Sequence, residues 1–240
     1  MVEVRNEFIV MTSGAFTAAH LALLPGLEQT LGAPVVTATT SVGTGDSSIE
    51  NRLKRGERAD LVIVTEGLLG QFVDAGLVRA EGCTPVASSS IALAVRDGAP
   101  VPDLSSVEAL RQTLLGARCV AYSASVSGRY LTTELYQRLG IAEQMLPRSR
   151  FVGGGERTGA VVARGEADIA VQQLSELLPV AGIAHITPLP AEVQKVSRIC
   201  AGIGANASDP ARSRAAIDLL VSSQAAEAIR GTGLEPLGAG

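Results

Sequence analysis

Short apolar segments rich in β-branched residues alternate with longer helical patterns along the whole chain. This alternation is typical of α/β proteins with largely parallel sheets, because two neighbouring parallel strands need a crossover, usually a helix, between them. Pro25 lies inside the first helical pattern and predicts a kink or a break there. Strands are predicted near 7–12, 34–40, 59–65, 89–96, 117–123, 149–153, 167–172, 184–187 and 196–204. Helices are predicted near 15–31, 47–55, 67–75, 105–115, 128–139, 156–164, 210–222 and 224–231.

Two pairs of segments repeat one another along the chain. The segment LKRGERADLVIVTE (53–66) is similar to VVARGEADIAVQQ (161–173), and in both a helix ends at Arg-Gly-Glu before Ala-Asp begins an apolar strand. Upstream, FIVMTSGAFTAAHLAL (8–23) is similar to CVAYSASVSGRYLTTEL (119–135), and both run from a strand through a Ser-rich turn into a helix. The repeat predicts two similar α/β lobes.

The carboxyl ends of the predicted strands are where an open α/β sheet binds its ligands. At these positions the chain offers hydroxyl groups, amides and glycine-rich turns instead of a set of nucleophiles, which is typical of a binding site. The candidate ligand-binding residues are Ser13, Gly14, Ala15, Ser41, Thr65, Ser125, Ser127, Gly128, Arg129, Gly154 and Gln172.

Several of these candidates have a plainer alternative. Ser13 and Gly14 could present a hydroxyl and backbone N–H groups to an anion at a helix N-terminus, or Ser13 could simply cap that helix. Arg129 could grip a carboxylate through two hydrogen bonds, although an arginine in a first helical turn is more often solvated and opposes the helix dipole. Gln172 faces the ligand in preference to Gln173 if the strand alternates regularly.

Composition and charge narrow the classes of function. The chain has 240 residues and a net charge of −4, with a pI of about 5.3, so its charge does not indicate nucleic acid or an anionic lipid surface as a partner. No apolar run is long enough for a membrane span. Three distant cysteines and two histidines without metal-ligand spacing favour free thiols and argue against a metal site. The glycine-rich VGGGERTG (152–159) lacks the Lys-Ser/Thr of a phosphate-binding loop, so we expect no cofactor.

The N-terminal segment MVEVRNEFIVMTSG lacks the basic region, apolar core and small-residue cleavage site of a signal peptide. We therefore expect a cytoplasmic protein if this N-terminus is native. A periplasmic location is expected if a signal peptide has been removed.

Segments spread over nearly the whole chain carry a resemblance to a known family. They are MTSGAFTAA, NRLKRGERADLVIV, SSSIALAVRDGAP, VAYSASVSGRYL, GEADIAVQQLSELLP and the late stretch from ICAGIGANASDP to TGLEP. Together they resemble the type II periplasmic solute-binding proteins, in particular the branch similar to molybdate-binding proteins. The resemblance implies two lobes joined by a hinge with a ligand cleft between them. Residues 1–86 with 203–240 would form lobe I, and residues 87–202 lobe II.

Some of the same segments, MTSGAFTAA, VQQLSELLPV and TGLEP among them, also resemble bacterial aconitate isomerases. This second resemblance implies an enzyme that binds a small polycarboxylate and moves its double bond by an allylic proton shift. Such a reaction needs a proton-transfer group and donors that hold the carboxylates and the developing charge. The candidate catalytic residues are Glu66, Tyr122, Tyr130 and His20. Their plainer alternatives are an exposed strand-end acid, two core tyrosines and a structural or surface histidine.

Two other functions remain open at this point. A non-enzymatic solute-binding protein would deliver molybdate, another small oxyanion or a carboxylate to the permease of an ABC transporter, and this role requires export. An uncharged shell of hydroxyls and amides would suit molybdate, whereas a cationic Arg129 would favour an organic carboxylate. A cytoplasmic sensor is the third possibility, but no attached DNA-binding segment supports it.

Overall fold

A computed structural model of the protein describes residues 6–38, 45–153 and 155–238. The chain divides into two units, Met1–Ser88 with Arg198–Gly240 (unit 1) and Ser89–Ser197 (unit 2). Each unit is built on one mixed β-sheet with helices, which confirms the predicted α/β class.

The described elements, in chain order, are as follows. The strands are β1 (Phe8–Thr12), β2 (Val35–Ala38), β3 (Leu61–Thr65), β4 (Thr84–Ser89), β5 (Ile91–Arg96), β6 (Val120–Ser123), β7 (Ser149–Val152), β8 (Ile169–Gln173), β9 (Ile183–Pro188), β10 (Ser197–Ile203) and β11 (Glu235–Pro236). The helices are α1 (Gly14–Leu31), α2 (Ile49–Lys54), α3 (Glu66–Asp74), α4 (Val107–Gly116), α5 (Val126–Tyr130), α6 (Tyr136–Arg138), α7 (Ala142–Met145), α8 (Thr158–Ala163), α9 (Leu174–Leu177), α10 (Pro210–Leu220) and α11 (Ser223–Arg230). A π-helical turn, Leu131–Leu135, joins α5 to α6.

In unit 1 the sheet has the strand order β11-β4-β10-β3-β1-β2. Strand β1 runs parallel to both β2 and β3, whereas β10 runs antiparallel to β3. Alternate residues of each strand enter different cores, because successive side chains point to opposite faces of a sheet. Val10 and Ile63 pack with α1, α10 and α11 on one face, while Met11 and Val62 pack with α2 and α3 on the other.

The sheet of unit 2 has the order β7-β6-β8-β5-β9. Strand β6 is parallel to β7 and β8, and β5 is antiparallel to β8 and β9. Val120 and Ile169 enter the larger core, which also holds residues of α4 and of the helical segment that follows β6. Ala121 and Ala170 face the other way and pack against α8 and α9.

The sequence repeat corresponds to matching geometry in the two units. In unit 1, Asp60 precedes β3 and its carboxylate accepts the backbone N–H of Ile9 at 2.8 Å. In unit 2, Asp168 precedes β8 and its carboxylate accepts the N–H groups of Arg118 and Cys119 at 2.7 and 3.2 Å. Each aspartate therefore fixes the start of the neighbouring parallel strand, and this explains why Ala-Asp recurs at the same place in both halves.

Helix α1 continues through Pro25, where the sequence predicts a kink or a break. The structure shows one helix from Gly14 to Leu31 that contains Pro25, so the predicted break does not occur. A proline inside a helix removes one backbone hydrogen bond and tends to distort the turn before it. The apolar residues Leu23, Leu27 and Leu31 on both sides of Pro25 are all buried in the core of unit 1, and this packing offsets the lost bond.

Candidate functional site

Four polar side chains meet at one end of the unit 2 sheet and form what we call the hydroxyl–amide cluster: Ser123, Ser125, Ser127 and Gln172. The Gln172 side-chain oxygen accepts hydrogen bonds from the hydroxyls of Ser125, at 3.0 Å, and Ser127. The Gln172 amide donates to Ser123 Oγ at 2.9 Å, and the serine hydroxyls bond to one another at 2.8 to 2.9 Å. Ser127 and Gln172 are buried, whereas Ser123 and Ser125 are half-buried. The cluster therefore offers hydroxyl donors that can turn from Gln172 to a bound anion.

The topology explains why these residues meet. Strands β6 and β8 are parallel neighbours, so their carboxyl ends lie side by side at one edge of the sheet. Ser123 ends β6, Gln172 lies near the end of β8, and Ser125 and Ser127 begin the helix that follows β6. The sequence predictions that involve Ser125, Ser127 and Gln172 thus fall on residues that the structure brings into contact, and Ser123 is added to them.

Gly128 allows the helix after β6 to lie close to the strand end. A Cβ atom at this position would stand 1.8 Å from the carbonyl oxygen of Ser123. Gly128 therefore has a packing role toward Ser123, in addition to any contact with a ligand.

In unit 1, Ser13 occupies the matching position after β1 as the N-cap residue of α1. Its hydroxyl makes no capping hydrogen bond, and this buried oxygen has no partner within the described residues. Ser125 is likewise the N-cap of α5 without a side-chain capping bond. The structural counterpart of Ser13 is therefore Ser125, although the shared Ser-Gly pairs of the two segments, Ser13-Gly14 and Ser127-Gly128, would match Ser13 with Ser127.

The other ligand-binding candidates of unit 1 surround this turn or end the neighbouring strand. Gly14 is exposed and Ala15 is buried in the first turn of α1. Thr65 ends β3 and is the N-cap of α3, again without a side-chain capping bond. Two further candidates, Ser41 and Gly154, lie outside the described residues.

Arg129 is exposed in the first turn after the hydroxyl–amide cluster. Within the described part of the chain it forms no salt bridge, in contrast to Arg118, which pairs with Asp168 at 2.7 Å. A cation without a partner so close to the cluster is available to a ligand carboxylate.

The residues proposed from the sequence for proton transfer have different surroundings. Glu66 is exposed, and its carboxylate forms a surface ion pair with Arg198 at 3.7 Å. The Tyr130 ring is buried in the unit 2 core, and its hydroxyl donates to the carbonyl oxygen of Val193 at 2.6 Å. Glu66 thus matches the exposed strand-end acid, and Tyr130 the core tyrosine, that the sequence also allows.

Tyr122 and His20 complete the proton-transfer candidates. The half-buried Tyr122 packs edge-on against Phe151 with the ring centres 5.8 Å apart. His20 is fully buried in unit 1, where its Nε2 atom lies 2.8 Å from the Thr37 hydroxyl and its Nδ1 atom has no partner in the described regions. Burial lowers the pKa of His20 to about 4, so the imidazole is neutral at physiological pH.

Sequence reasoning missed one ionisable residue at the carboxyl edge of the unit 2 sheet. Glu176 lies in α9, directly after β8, and burial raises the pKa of its carboxyl group to about 7 although the charge of Arg157 opposes this shift. Helix α9 was not predicted because it has only four residues. The signal that could have found Glu176 is an acid within one helical turn of a predicted strand end.

Metal binding and membrane insertion receive no support from the described residues. Across 6–38, 45–153 and 155–238, histidine, cysteine, aspartate and glutamate side chains form no group of three that could hold a metal ion. No helix in these same ranges combines the length and the apolar character that a membrane crossing requires.

Comparison with known proteins agrees with the predicted resemblance. Residues 8–235 match the family model described as bacterial extracellular solute-binding protein. The chain is 37% identical over 229 residues to an aconitate isomerase from Pseudomonas sp., which covers 95% of this chain and 87% of that protein.

Solved structures of binding proteins share the fold. A periplasmic molybdate-binding protein from Azotobacter vinelandii matches with a TM-score of 0.77 at 17% identity, covering 95% of this chain and 98% of that one. A sulfate-binding protein from Mycobacterium tuberculosis H37Rv matches with a TM-score of 0.73 at 15% identity, covering 97% of this chain and 87% of that one. Because the family model and the isomerase both match almost the full length, this chain belongs to the bacterial extracellular solute-binding protein family.

Proposed function

We propose that this protein binds a small organic polycarboxylate and isomerises it by moving a carbon–carbon double bond, with aconitate as the substrate. The observation that carries the proposal is the 37% identity with an aconitate isomerase over 95% of this chain. The hydroxyl–amide cluster and Arg129 supply the kind of groups that such a substrate requires.

The substrate carries three carboxylates on a short skeleton, and the protein has a net charge of −4. Local donors must therefore hold the anion, because the charge of the whole molecule does not attract it. Hydroxyl groups of Ser125 and Ser127 can donate to carboxylate oxygens, and the Arg129 guanidinium can pair with one carboxylate.

The isomerisation passes through an anion in which negative charge spreads from carbon onto a substrate carboxylate. Donors that are already oriented stabilise such charge more than water does, because they need not reorganise during the reaction. The mutual hydrogen bonds of Ser123, Ser125, Ser127 and Gln172 hold these side chains at the strand ends before the ligand arrives, so that only the hydroxyl hydrogens turn when it binds.

The test is to incubate the purified protein with trans-aconitate and to follow cis-aconitate by chromatography. We expect cis-aconitate to form at a rate proportional to protein concentration. Absence of turnover, together with micromolar binding of molybdate by calorimetry, would contradict the isomerase proposal.

A second candidate function is delivery of molybdate, another small oxyanion or a carboxylate to the permease of an ABC transporter. It is supported by the solute-binding family and by the uncharged hydroxyl–amide cluster, which can bind an anion without a cation of its own. Calorimetry with trans-aconitate, molybdate and sulfate separates the two candidates, because only the transport role predicts tight binding of an oxyanion without any turnover.

A further inference from the structure

We propose that Glu176 is the residue that removes the allylic proton of the substrate and returns it at the other end of the double-bond system. This inference rests on the proposed isomerase function and adds a catalytic residue to it.

The position of Glu176 follows from the topology of unit 2. Gln172 and Ala170 lie on the same face of β8, since they are two residues apart, and Ala170 packs with Leu177 of α9. Helix α9 follows β8 without an intervening loop, so Glu176 lies at the carboxyl edge where Gln172 bonds to the serines. Gln172 therefore lies on the sheet face that α9 covers, and Glu176 lies at the same carboxyl edge as the hydroxyl–amide cluster.

Helix α8 adds a second element to this face and edge. It follows the turn after β7, its residues Val161 and Val162 pack in the same core as Leu177, and Arg157 is its N-cap residue. The hydroxyl of Thr158, the first residue of α8, is buried and has no hydrogen-bond partner among the residues that the structure describes. This unpartnered donor beside Arg157 is an independent sign that the region accommodates a polar ligand.

The other acids near this edge are less suited to proton transfer. Glu156, in the turn before α8, is held in a salt bridge 2.5 Å from Arg164. Glu192 is exposed in the turn after β9. Glu176 is half-buried and forms no salt bridge in the described ranges, so its carboxylate is free to accept a proton.

The surroundings of Glu176 favour a group that can both take up and release a proton. Burial raises its pKa to about 7, while the positive charge of Arg157 keeps part of the population ionised. The strands that pack against α9 are β5, β8 and β9, and their titratable or charged residues are Arg96 on β5 and His185 on β9. Both belong to the antiparallel part of the sheet, and the pKa of Glu176 depends on burial first and Arg157 second.

The chemical step balances without any further reactant. The Glu176 carboxylate takes a proton from the CH₂ carbon next to the double bond, and the electrons of that C–H bond form the new double bond. The electrons of the old double bond move to its far carbon, which then takes a proton from the Glu176 carboxyl group after the acidic hydrogen of that group has exchanged with water. One C–H bond breaks and one forms, so no oxidant, reductant or cofactor is needed.

The experiment compares wild type, Glu176→Gln and Glu156→Gln with trans-aconitate in D₂O buffer. We expect Glu176→Gln to lower kcat by about 10²-fold or more and to abolish deuterium uptake at the CH₂ carbon, measured by NMR. Its affinity for trans-aconitate, measured by calorimetry, should stay within about threefold of wild type, because the donors of the hydroxyl–amide cluster are unchanged. Glu156→Gln is the matched control and should behave as wild type.

The outcomes separate this inference from the proposed function. If wild type does not convert trans-aconitate, the isomerase function itself is wrong. If wild type converts it and Glu176→Gln keeps its kcat and its deuterium uptake, only the role of Glu176 is overturned. Should Glu176→Gln fail to fold, Glu176→Asp keeps the carboxylate with a shorter reach. A lower kcat in that variant supports the role, and an unchanged kcat contradicts it.

Discussion

Gly128 is the residue at which the absence of a side chain fixes the geometry of the hydroxyl–amide cluster. It lets the helix that carries Ser125 and Ser127 approach the Ser123 carbonyl more closely than any other residue type allows. The sequence suggests Gly128 as a ligand contact, but only the structure shows what its missing Cβ would meet.

The Gly128→Ala substitution should destabilise the protein by about 1 to 3 kcal/mol, because the backbone must move to relieve the clash with Ser123. It should also weaken trans-aconitate binding, since the same movement displaces Ser125 and Ser127. Gly116→Ala, at the end of α4, is the control: open space surrounds that glycine, so stability should stay the same or rise by up to about 1 kcal/mol. Urea unfolding and calorimetry measure both effects, and equal behaviour of the two variants would refute the packing role.

Arg129 carries a positive charge that no described residue neutralises. We expect Arg129→Gln to weaken trans-aconitate binding by about tenfold, because a hydrogen bond between charged groups contributes roughly 1.5 to 3 kcal/mol when both partners are well placed. Stability should barely change, since the side chain is exposed. Arg118→Gln, at the opposite edge of the sheet, should leave the affinity unaltered. Calorimetry on both variants checks this, and an unchanged affinity in Arg129→Gln would remove Arg129 from the site.

The two repeated segments each place an aspartate before a strand, and the two aspartates differ in burial. Asp60 is fully buried and accepts bonds from Ile9 and from the backbone and hydroxyl of Ser208. Asp168 makes comparable backbone contacts but remains partly exposed, beside the exposed Arg118, whose guanidinium holds the pKa of Asp168 below its usual range.

Replacement of Asp60 and of Asp168 by alanine should therefore lower the free energy of unfolding by different amounts. Asp60→Ala leaves buried donors without an acceptor and should lower the free energy of unfolding by about 3 kcal/mol. Asp168→Ala should cost about 1 kcal/mol, because water can replace the carboxylate at a partly exposed position. Urea unfolding of both variants at neutral pH tests the difference, and an equal loss would show that burial does not set the cost.

The elements that the sequence predicted well are those with a strong pattern of their own. Long helices with a C-terminal glycine, such as α1 ending at Gly32 with its φ of 60°, and buried strands, such as β3 and β10, lie within a few residues of their predicted positions. Strand β4 and the short elements β11, α7 and α9 were missed because each depends on contacts with distant segments. The site followed the same rule: Ser125, Ser127 and Gln172 are visible in turns and strand ends, whereas the burial of Tyr130 and Glu176 depends on tertiary packing.

Two ionisable groups with shifted pKa values, the buried His20 and the half-buried Glu176, act in opposite directions on the stability of the whole molecule. Folding lowers the pKa of His20 from 6.5 to about 4, so protonation of this histidine favours the unfolded chain. The contribution of His20 to the free energy of unfolding is therefore lost as the pH falls through this range. The pKa of Glu176 rises from 4.5 to about 7, so its contribution is present at low pH and is lost as the pH rises through 7. Between about pH 5 and pH 6.5 a rise in pH increases the stabilising contribution of His20 and decreases that of Glu176. The free energy of unfolding of the wild type should therefore vary little with pH in this interval.

Replacement of either residue should reveal how the other makes the free energy of unfolding depend on pH. We expect the free energy of unfolding of His20→Gln to fall as the pH rises from about 5 to 6.5, and that of Glu176→Gln to rise over the same interval, in each case by up to about 2 kcal/mol, because one group contributes at most about 1.4 kcal/mol per pH unit. Urea unfolding followed by circular dichroism at several pH values measures these slopes. His185→Gln, which removes the exposed histidine, is the control and should keep the flat profile of wild type. Parallel pH profiles for His20→Gln and Glu176→Gln would show that these two residues do not carry the opposing shifts.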